Sequence, residues 1–170
     1  MEKKGVSDVV GVVILIALVI GLTAIVWMVI TGLVKEELSG AKSCFGNFEK
    51  VTFNKRYTCQ DGTTKQLNFS ISVKDLNISE IVVAIYGEGE IKTIRIDGDS
   101  AYPYAKNFAD TAYGGILILP QENEGKTYSV NLIGMNMAKV DSIEIAPVIG
   151  SEQCDKSDSI YSVEDCKLLI

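Results

Sequence analysis

The residues "VVGVVILIALVIGLTAIVWMVITGLV" at positions 9–34 decide the fold, because no charged side chain interrupts them. As a helix rising 1.5 Å per residue they would be about 39 Å long, which exceeds the roughly 30 Å hydrocarbon core of a bilayer. The apolar core of a cleaved secretory signal peptide has only about 7–15 residues. We therefore predict a retained, membrane-length helix over residues 6–40, which Gly40 ends after the helix-forming sequence "VKEELS".

The flanks of this helix predict its orientation. Lys3 and Lys4 precede it, and no positive excess follows it. Under the positive-inside rule the first residues stay in the cytoplasm, and residues 41–170 lie outside the membrane. The sequons "NFS" at Asn68 and "NIS" at Asn77 agree with an exported domain, and both asparagines are predicted glycosylation sites.

All four cysteines follow the helix. They form no C-x-x-C pair and the chain contains no histidine, so we expect no zinc site. An even number of cysteines in an exported domain predicts two disulfides. Three pairings are possible, and the short loops between sequence neighbours favour Cys44–Cys59 with Cys154–Cys166.

After Gly40 the hydrophobic pattern changes from helical to alternating. "LNFSISV" (67–73) and "TYSVNLI" (127–133) alternate as half-buried strands do, and the first places Asn68 on the solvent face. "IVVAIY" (81–86) and "ILIL" (116–119) are apolar on both faces and predict central strands covered on both sides. Together with "KVTF", "KTIRI" and "DSIEIAPVI", these segments predict an α+β fold, in which an antiparallel β-sandwich over residues 41–170 follows the long helix. Jelly-roll and immunoglobulin-like topologies both fit this pattern.

Charge and composition argue against several functions. The net charge of -6 lies mostly after the helix, and no basic cluster exists beyond Lys3 and Lys4, so nucleic acid is not an expected partner. Without histidine, and without a nucleophile beside a base or a pair of carboxylates, we expect no catalytic residue, no cofactor and no enzyme activity.

Three polar or aromatic segments offer other sites. "DGDS" (97–100) and "DKSDS" (155–159) carry oxygen ligands that suit Ca²⁺, but ordinary polar turns are the favoured interpretation, so no metal site is predicted. "AYPYAKNFADTAYGG" (101–115) is predicted to be a long loop. Its aromatic side chains either pack on their own domain or contact a partner.

The order of residues at the N-terminus predicts processing. Lys3, Lys4 and Gly5 stand directly before the apolar helix, so cleavage after Gly5 would remove a leader of residues 1–5 and leave a helix that starts at Val6. "EKKGVSDVVGVVILIALVIGLTAIVW" resembles the class III signal of the archaeal type IV pilin-like superfamily, which includes adhesion pilins and archaellins. The resemblance covers about the first 35 residues. Bacterial type IV pilins carry a glutamate at the fifth mature position, which is Val10 here, and archaeal members commonly lack it.

Two residues are candidates for the start of the processed helix. Ser7 would cap it, and Asp8 would lie near its positive end. Alternatively, the amino group freed on Val6 pairs with Asp8 of the same or a neighbouring chain. We favour capping.

The resemblance implies partners and a function. It implies a prepilin peptidase, an assembly ATPase, a platform protein and packing of the helices into a filament core. We therefore expect a structural subunit of an archaeal surface filament for adhesion, which is embedded in the membrane as a precursor and polymerises with copies of itself through the helix. The alternative is a single-pass membrane protein whose extracellular domain binds a ligand or a partner.

Overall fold

The computed structural model describes residues 4–44 and 49–166, and within the first helix it describes the side chains of residues 9–35 and of Cys44. The chain divides into two compact units, residues 1–42 and residues 43–170, and we call the second unit the head domain. The helix α1 is Lys4–Cys44, and one 3-10 turn is Lys55–Tyr57. The strands are β1 (Val51–Phe53), β2 (Cys59–Asp61), β3 (Gln66–Val73), β4 (Glu80–Gly87), β5 (Glu90–Ile96), β6 (Ala105–Asn107), β7 (Gly125–Asn131), β8 (Ser142–Ile149), β9 (Glu152–Gln153) and β10 (Asp158–Ile160).

The helix α1 is longer at both ends than the sequence predicted. It begins at Lys4 rather than at Val6, and it continues to Cys44, so Gly40 does not end it. A glycine inside a helix costs only about 1 kcal/mol relative to alanine. Helix-compatible residues follow Gly40, and no proline lies nearby, so this cost does not stop the helix.

The strands of the head domain form two antiparallel sheets. In the first sheet the order is β1-β3-β7-β6, and β2 also pairs with β3. In the second sheet the order is β10-β8-β4-β5, and β9 also pairs with β8. The predicted α+β class, a long apolar helix followed by antiparallel sheets arranged as a β-sandwich, is confirmed.

One hydrophobic core contains side chains from both sheets. Alternate residues of β3, among them Phe69, are buried as the sequence predicted, and the Phe69 ring lies 5.3 Å from the ring of Tyr128 on β7. From the second sheet, alternate residues of β4 and β8 join the same core. The members that lie on these four strands are Leu67, Phe69, Ile71, Val73, Ile81, Val83, Ile85, Tyr128, Val130, Ile143 and Ile145.

Two predictions about doubly covered strands are wrong. On β4 only one face is completely buried, because Ala84 and Tyr86 on the other face remain partly exposed. The segment 116–119 is not a strand at all, since Ile116 makes only an isolated bridge to Ala101. Side chains form hydrogen bonds with its backbone instead. For example, the Tyr128 hydroxyl donates to the carbonyl of Ile118 at 2.7 Å.

Candidate functional site

The most distinctive surface among the described residues is that of α1. The stretch Val9–Lys35 is long and apolar enough to cross a membrane, with a mean hydropathy of 3.2. Its large apolar side chains are exposed on every side of the helix, from 49% at Ile30 to 76% at Met28. A helix that is apolar all round needs an enclosing environment, whether lipid or protein. These are the properties of a membrane anchor or of a signal sequence.

The polar groups inside this stretch are satisfied by the helix itself. The Thr23 hydroxyl donates to the carbonyl of Ile20 at 2.9 Å, and the Thr31 hydroxyl donates to the carbonyl of Trp27 at 2.8 Å. A threonine bonded in this way leaves no donor that needs water, so the helix can enter hydrocarbon without an unsatisfied hydroxyl.

Three glycines leave parts of the helix surface open. A methyl group built on Gly11, Gly21 or Gly32 would meet no atom within 4 Å outside the local helix. Small residues of this kind let the backbone of a second helix approach closely. The helix therefore offers sites for close packing, although glycines also occur in single anchors.

The predicted processing residues lie at the start of α1. Lys3 lies outside the described residues, whereas Lys4, Gly5 and Val6 belong to the first turns of α1. In the full chain Ser7 and Asp8 follow them inside the helix. A capping residue has a non-helical backbone, so the capping role of Ser7 can concern only a processed chain that begins at Val6.

The four cysteines form two disulfides, but the favoured pairing is wrong. The bonds are Cys44–Cys154 and Cys59–Cys166, with sequence separations of 110 and 107 residues. The prediction counted loop length along the chain, whereas the sheets bring the beginning and the end of the head domain together. A parallel bridge between Gln60 and Asp165 is part of this approach. Two disulfides indicate an extracellular location.

The two sequons differ in exposure. Asn68 lies on the outer face of β3, as predicted, but it is only partly exposed because its strand neighbours Cys59 and Ser129 are both buried. The side-chain oxygen of Asn68 is buried and finds no hydrogen-bond partner among the described residues. By contrast, Asn77 is exposed in the loop between β3 and β4. A glycan is bulky and needs an exposed acceptor, which only Asn77 offers.

The acidic turns use their oxygens within the fold. The carboxylate of Asp97 accepts hydrogen bonds from the backbone of Asp99 and from the backbone and hydroxyl of Ser100. These bonds hold the pKa of Asp97 below its ordinary value. In the second segment, Asp158 accepts a hydrogen bond from the backbone N–H of Phe53 at 2.8 Å and so ties β10 to β1. Both carboxylates therefore have a structural role in the fold.

Most of the aromatic side chains of segment 101–115 pack on their own domain. The rings of Tyr102 and Tyr104 lie 5.7 Å apart and pack against the core, and the Tyr102 hydroxyl accepts a hydrogen bond from the backbone N–H of Arg95. Part of the predicted loop is the strand β6. Phe108, which directly follows β6, remains 59% exposed.

Sequence reasoning missed a polar network on the outer face of the second sheet. Glu144 accepts hydrogen bonds from Lys156 at 2.9 Å and from Tyr86 at 3.1 Å. The bond from Lys156 is the main cause that lowers the pKa of Glu144, and the bond to Glu144 raises the pKa of Tyr86. Lys156 also donates to the hydroxyl of Tyr161. No local motif could have found this network, because strand pairing alone brings its members together.

A cavity of about 360 Å³ in the head domain is lined in part by Gln60, Lys65 and Lys139. The amide of Gln60 is fully used, since its nitrogen donates to the carbonyls of Val140 and Val163, and its oxygen accepts from the N–H of Val140. The Lys65 ammonium donates to the carbonyl of Ala138. These groups join chain segments to one another.

The comparisons with known proteins add no relative. Searches of the chain against protein-family models, curated proteins and solved structures gave no match. The features that bear on function are therefore the exposed apolar helix, the disulfide-closed head domain and the residues around Gly5.

Proposed function

We propose that this protein is the structural subunit of an archaeal type IV pilus-like surface filament that serves in adhesion. The carrying observation is that α1 is apolar on all sides and exposed along Val9–Lys35. Such a helix is not stable with its apolar surface in water, and two environments can enclose it. Lipid encloses it in the precursor, and the helices of neighbouring subunits enclose it in the filament.

The energetics favour an enclosed helix. Nineteen large apolar side chains of α1 are about half-exposed or more. If covering each of them contributes about 1 kcal/mol, enclosure of the helix stabilises the chain by on the order of 20 kcal/mol. The change from lipid to neighbouring helices keeps most of this energy, and close packing at the glycines favours the protein environment.

The head domain suits the outside of such a filament. It carries most of the acidic charge and is closed by two disulfides. In the proposed filament these domains form a polar sheath around the apolar core. The resemblance of the N-terminus supports the processing step, in which a prepilin peptidase cuts after Gly5 before an assembly ATPase and a platform protein act.

The test is the N-terminus of material sheared from cells that produce the protein. We expect sedimentable fibres, visible by electron microscopy, whose subunits begin at Val6. Gly5→Leu should block cleavage and keep the full chain in the membrane without fibres. Glu2→Gln changes the leader but not the cleavage position, and it should leave fibre formation unchanged.

The contrary result is equally clear. If all of the protein begins with the intact sequence "MEKKG", remains extractable only with detergent and forms no fibre, the filament proposal fails. The chain would then be a single-pass anchor with an extracellular binding domain.

A further inference from the structure

The position of Trp27 indicates how deep α1 lies in the membrane. Trp27 is the only tryptophan of the chain, and its side chain is 71% exposed on α1. Tryptophan is enriched where transmembrane helices pass from hydrocarbon to headgroups, because its ring is apolar while its indole N–H needs a polar partner. At the other end, Asp8 is the last charged residue before the apolar run. Along the helix Asp8 and Trp27 are about 28 Å apart, close to the roughly 30 Å of a hydrocarbon core.

The length of the apolar run points to the same depth. From Val9 to Lys35 the helix is about 39 Å long, so it fits entirely into a 30 Å core only at a tilt of about 40°. That tilt is the upper end of the range seen for transmembrane helices, whose average tilt is about 20°. At the average tilt the core holds only about 21 residues, and a span that starts at Val9 ends near Val29.

We propose that the hydrocarbon-embedded part of α1 is Val9–Met28, that Trp27 lies at the outer boundary of the core, and that residues 29–34 project into the headgroup layer. The partner of Trp27 is then the lipid interface. This inference rests on the membrane stage of the proposed function, but not on cleavage or polymerisation. The projecting turns contain Thr31 and Gly32, and they are the part of the helix that lipid covers least.

Fluorescence quenching tests this depth in the unmodified full chain, because its only tryptophan is Trp27. The protein is reconstituted into phosphatidylcholine vesicles whose acyl chains carry bromine at a shallow, a middle or a deep position. With Val9 at the inner boundary and no tilt, Trp27 lies about 12 Å from the bilayer centre, and the shallow label should quench it most. If α1 instead tilts to bury the whole run, Trp27 lies about 6 Å from the centre. Strongest quenching by the deep label would overturn the proposal.

Two variants in a Trp27→Phe background provide matched controls. A tryptophan placed by Leu18→Trp lies near the bilayer centre and should be quenched most by the deep label. A tryptophan placed by Leu33→Trp should be accessible to aqueous iodide, and its protection from iodide would contradict the proposal.

The remaining outcomes are also decisive. Emission of Trp27 that no lipid label quenches would overturn the proposal, because α1 would then not lie in the bilayer. Fibres whose subunits begin at Val6 can form whatever the depth of Trp27, so this experiment and the fibre test fail independently.

Discussion

Removing one disulfide at a time tests how the head domain is closed. The perturbations are the double replacements Cys59→Ala/Cys166→Ala and Cys44→Ala/Cys154→Ala, each made with the other bond intact. The two bonds close overlapping loops, since each joins the beginning of the head domain to its last part. Their contributions to stability are therefore coupled through the unfolded chain.

The magnitude follows from loop lengths. Alone, a bond with a sequence separation of 107 or 110 residues stabilises the fold by about 4.8 kcal/mol through the entropy of the unfolded chain. With the other bond intact, the path from Cys59 to Cys166 through Cys44 and Cys154 is only about 28 residues long, and closing it contributes about 3.6 kcal/mol. Removing one bond should thus cost about 3.6 kcal/mol, and removing both should cost about 8.4 kcal/mol, more than the two single losses together.

The assay is guanidinium denaturation of the full chain in detergent, followed by the near-ultraviolet circular dichroism of the buried tyrosines. Disulfides between sequence neighbours would give two independent losses of about 3 kcal/mol each. Strictly additive losses, or a peptide map that joins Cys44 to Cys59, would refute the overlapping-loop reasoning. If the chain without both bonds does not fold, the peptide map alone decides between the two pairings.

Three further changes have defined outcomes. Asn77→Gln should remove glycan mass from the head domain, whereas Asn68→Gln should leave the glycan mass unchanged because that side chain is half-buried. Mass spectrometry of the isolated protein measures both, and a glycan on Asn68 would contradict the argument from exposure. The lowered pKa of Glu144 means that its stabilising effect is complete above the ordinary glutamate pKa and is lost as the pH falls through the folded-state value. The unfolding free energy of Glu144→Gln should therefore fall less than that of the unmodified protein between about pH 6 and pH 3. An equal fall in both proteins would count against the network. Gly87→Ala should destabilise the head domain by about 1–3 kcal/mol, because the added methyl group would overlap a neighbouring backbone carbonyl. In the matched control Gly62→Ala, the methyl group meets no atom within 4 Å. Equal thermal stability of the two variants would contradict the close approach at Gly87.

The elements that the sequence predicted best are those whose pattern is local. The apolar run of α1 and the alternation in β3 and β7 depend on neighbouring residues, so the helix, the antiparallel sheets and the buried faces could be inferred directly. The strand prediction for segment 116–119 was wrong because the apolar composition of this segment resembles that of a strand. In the structure the side chain of Asn107 takes the place of a partner strand, since its amide oxygen accepts from the N–H of Ile118 and its amide nitrogen donates to the carbonyl of Ile116.

The disulfide pairing could not be predicted because it depends on topology. Sequence distance favours neighbours, but strand order places the last part of the head domain beside its first strands. The register of β2 with β3 puts Cys59 opposite Asn68, on the outer face of the first sheet, and there Cys59 meets Cys166. The same register leaves Asn68 only partly exposed, between Cys59 and Ser129.

The pairing of Cys44 with Cys154 determines which strand bears a pull on the chain that precedes the head domain. Without this bond, tension applied before Cys44 would reach β1 first. That strand has only three residues, Val51–Phe53, and pairs with β3 over those three positions alone.

With the bond, tension passes from Cys44 to Cys154, whose backbone N–H donates to the carbonyl of Pro147 on β8. Because β8 pairs with β4 along seven residues in the centre of the second sheet, the load is shared by a long ladder of hydrogen bonds rather than by a strand of three residues. A surface filament under shear needs its head domains held in this way, so the pairing that sequence reasoning missed is consistent with the proposed function.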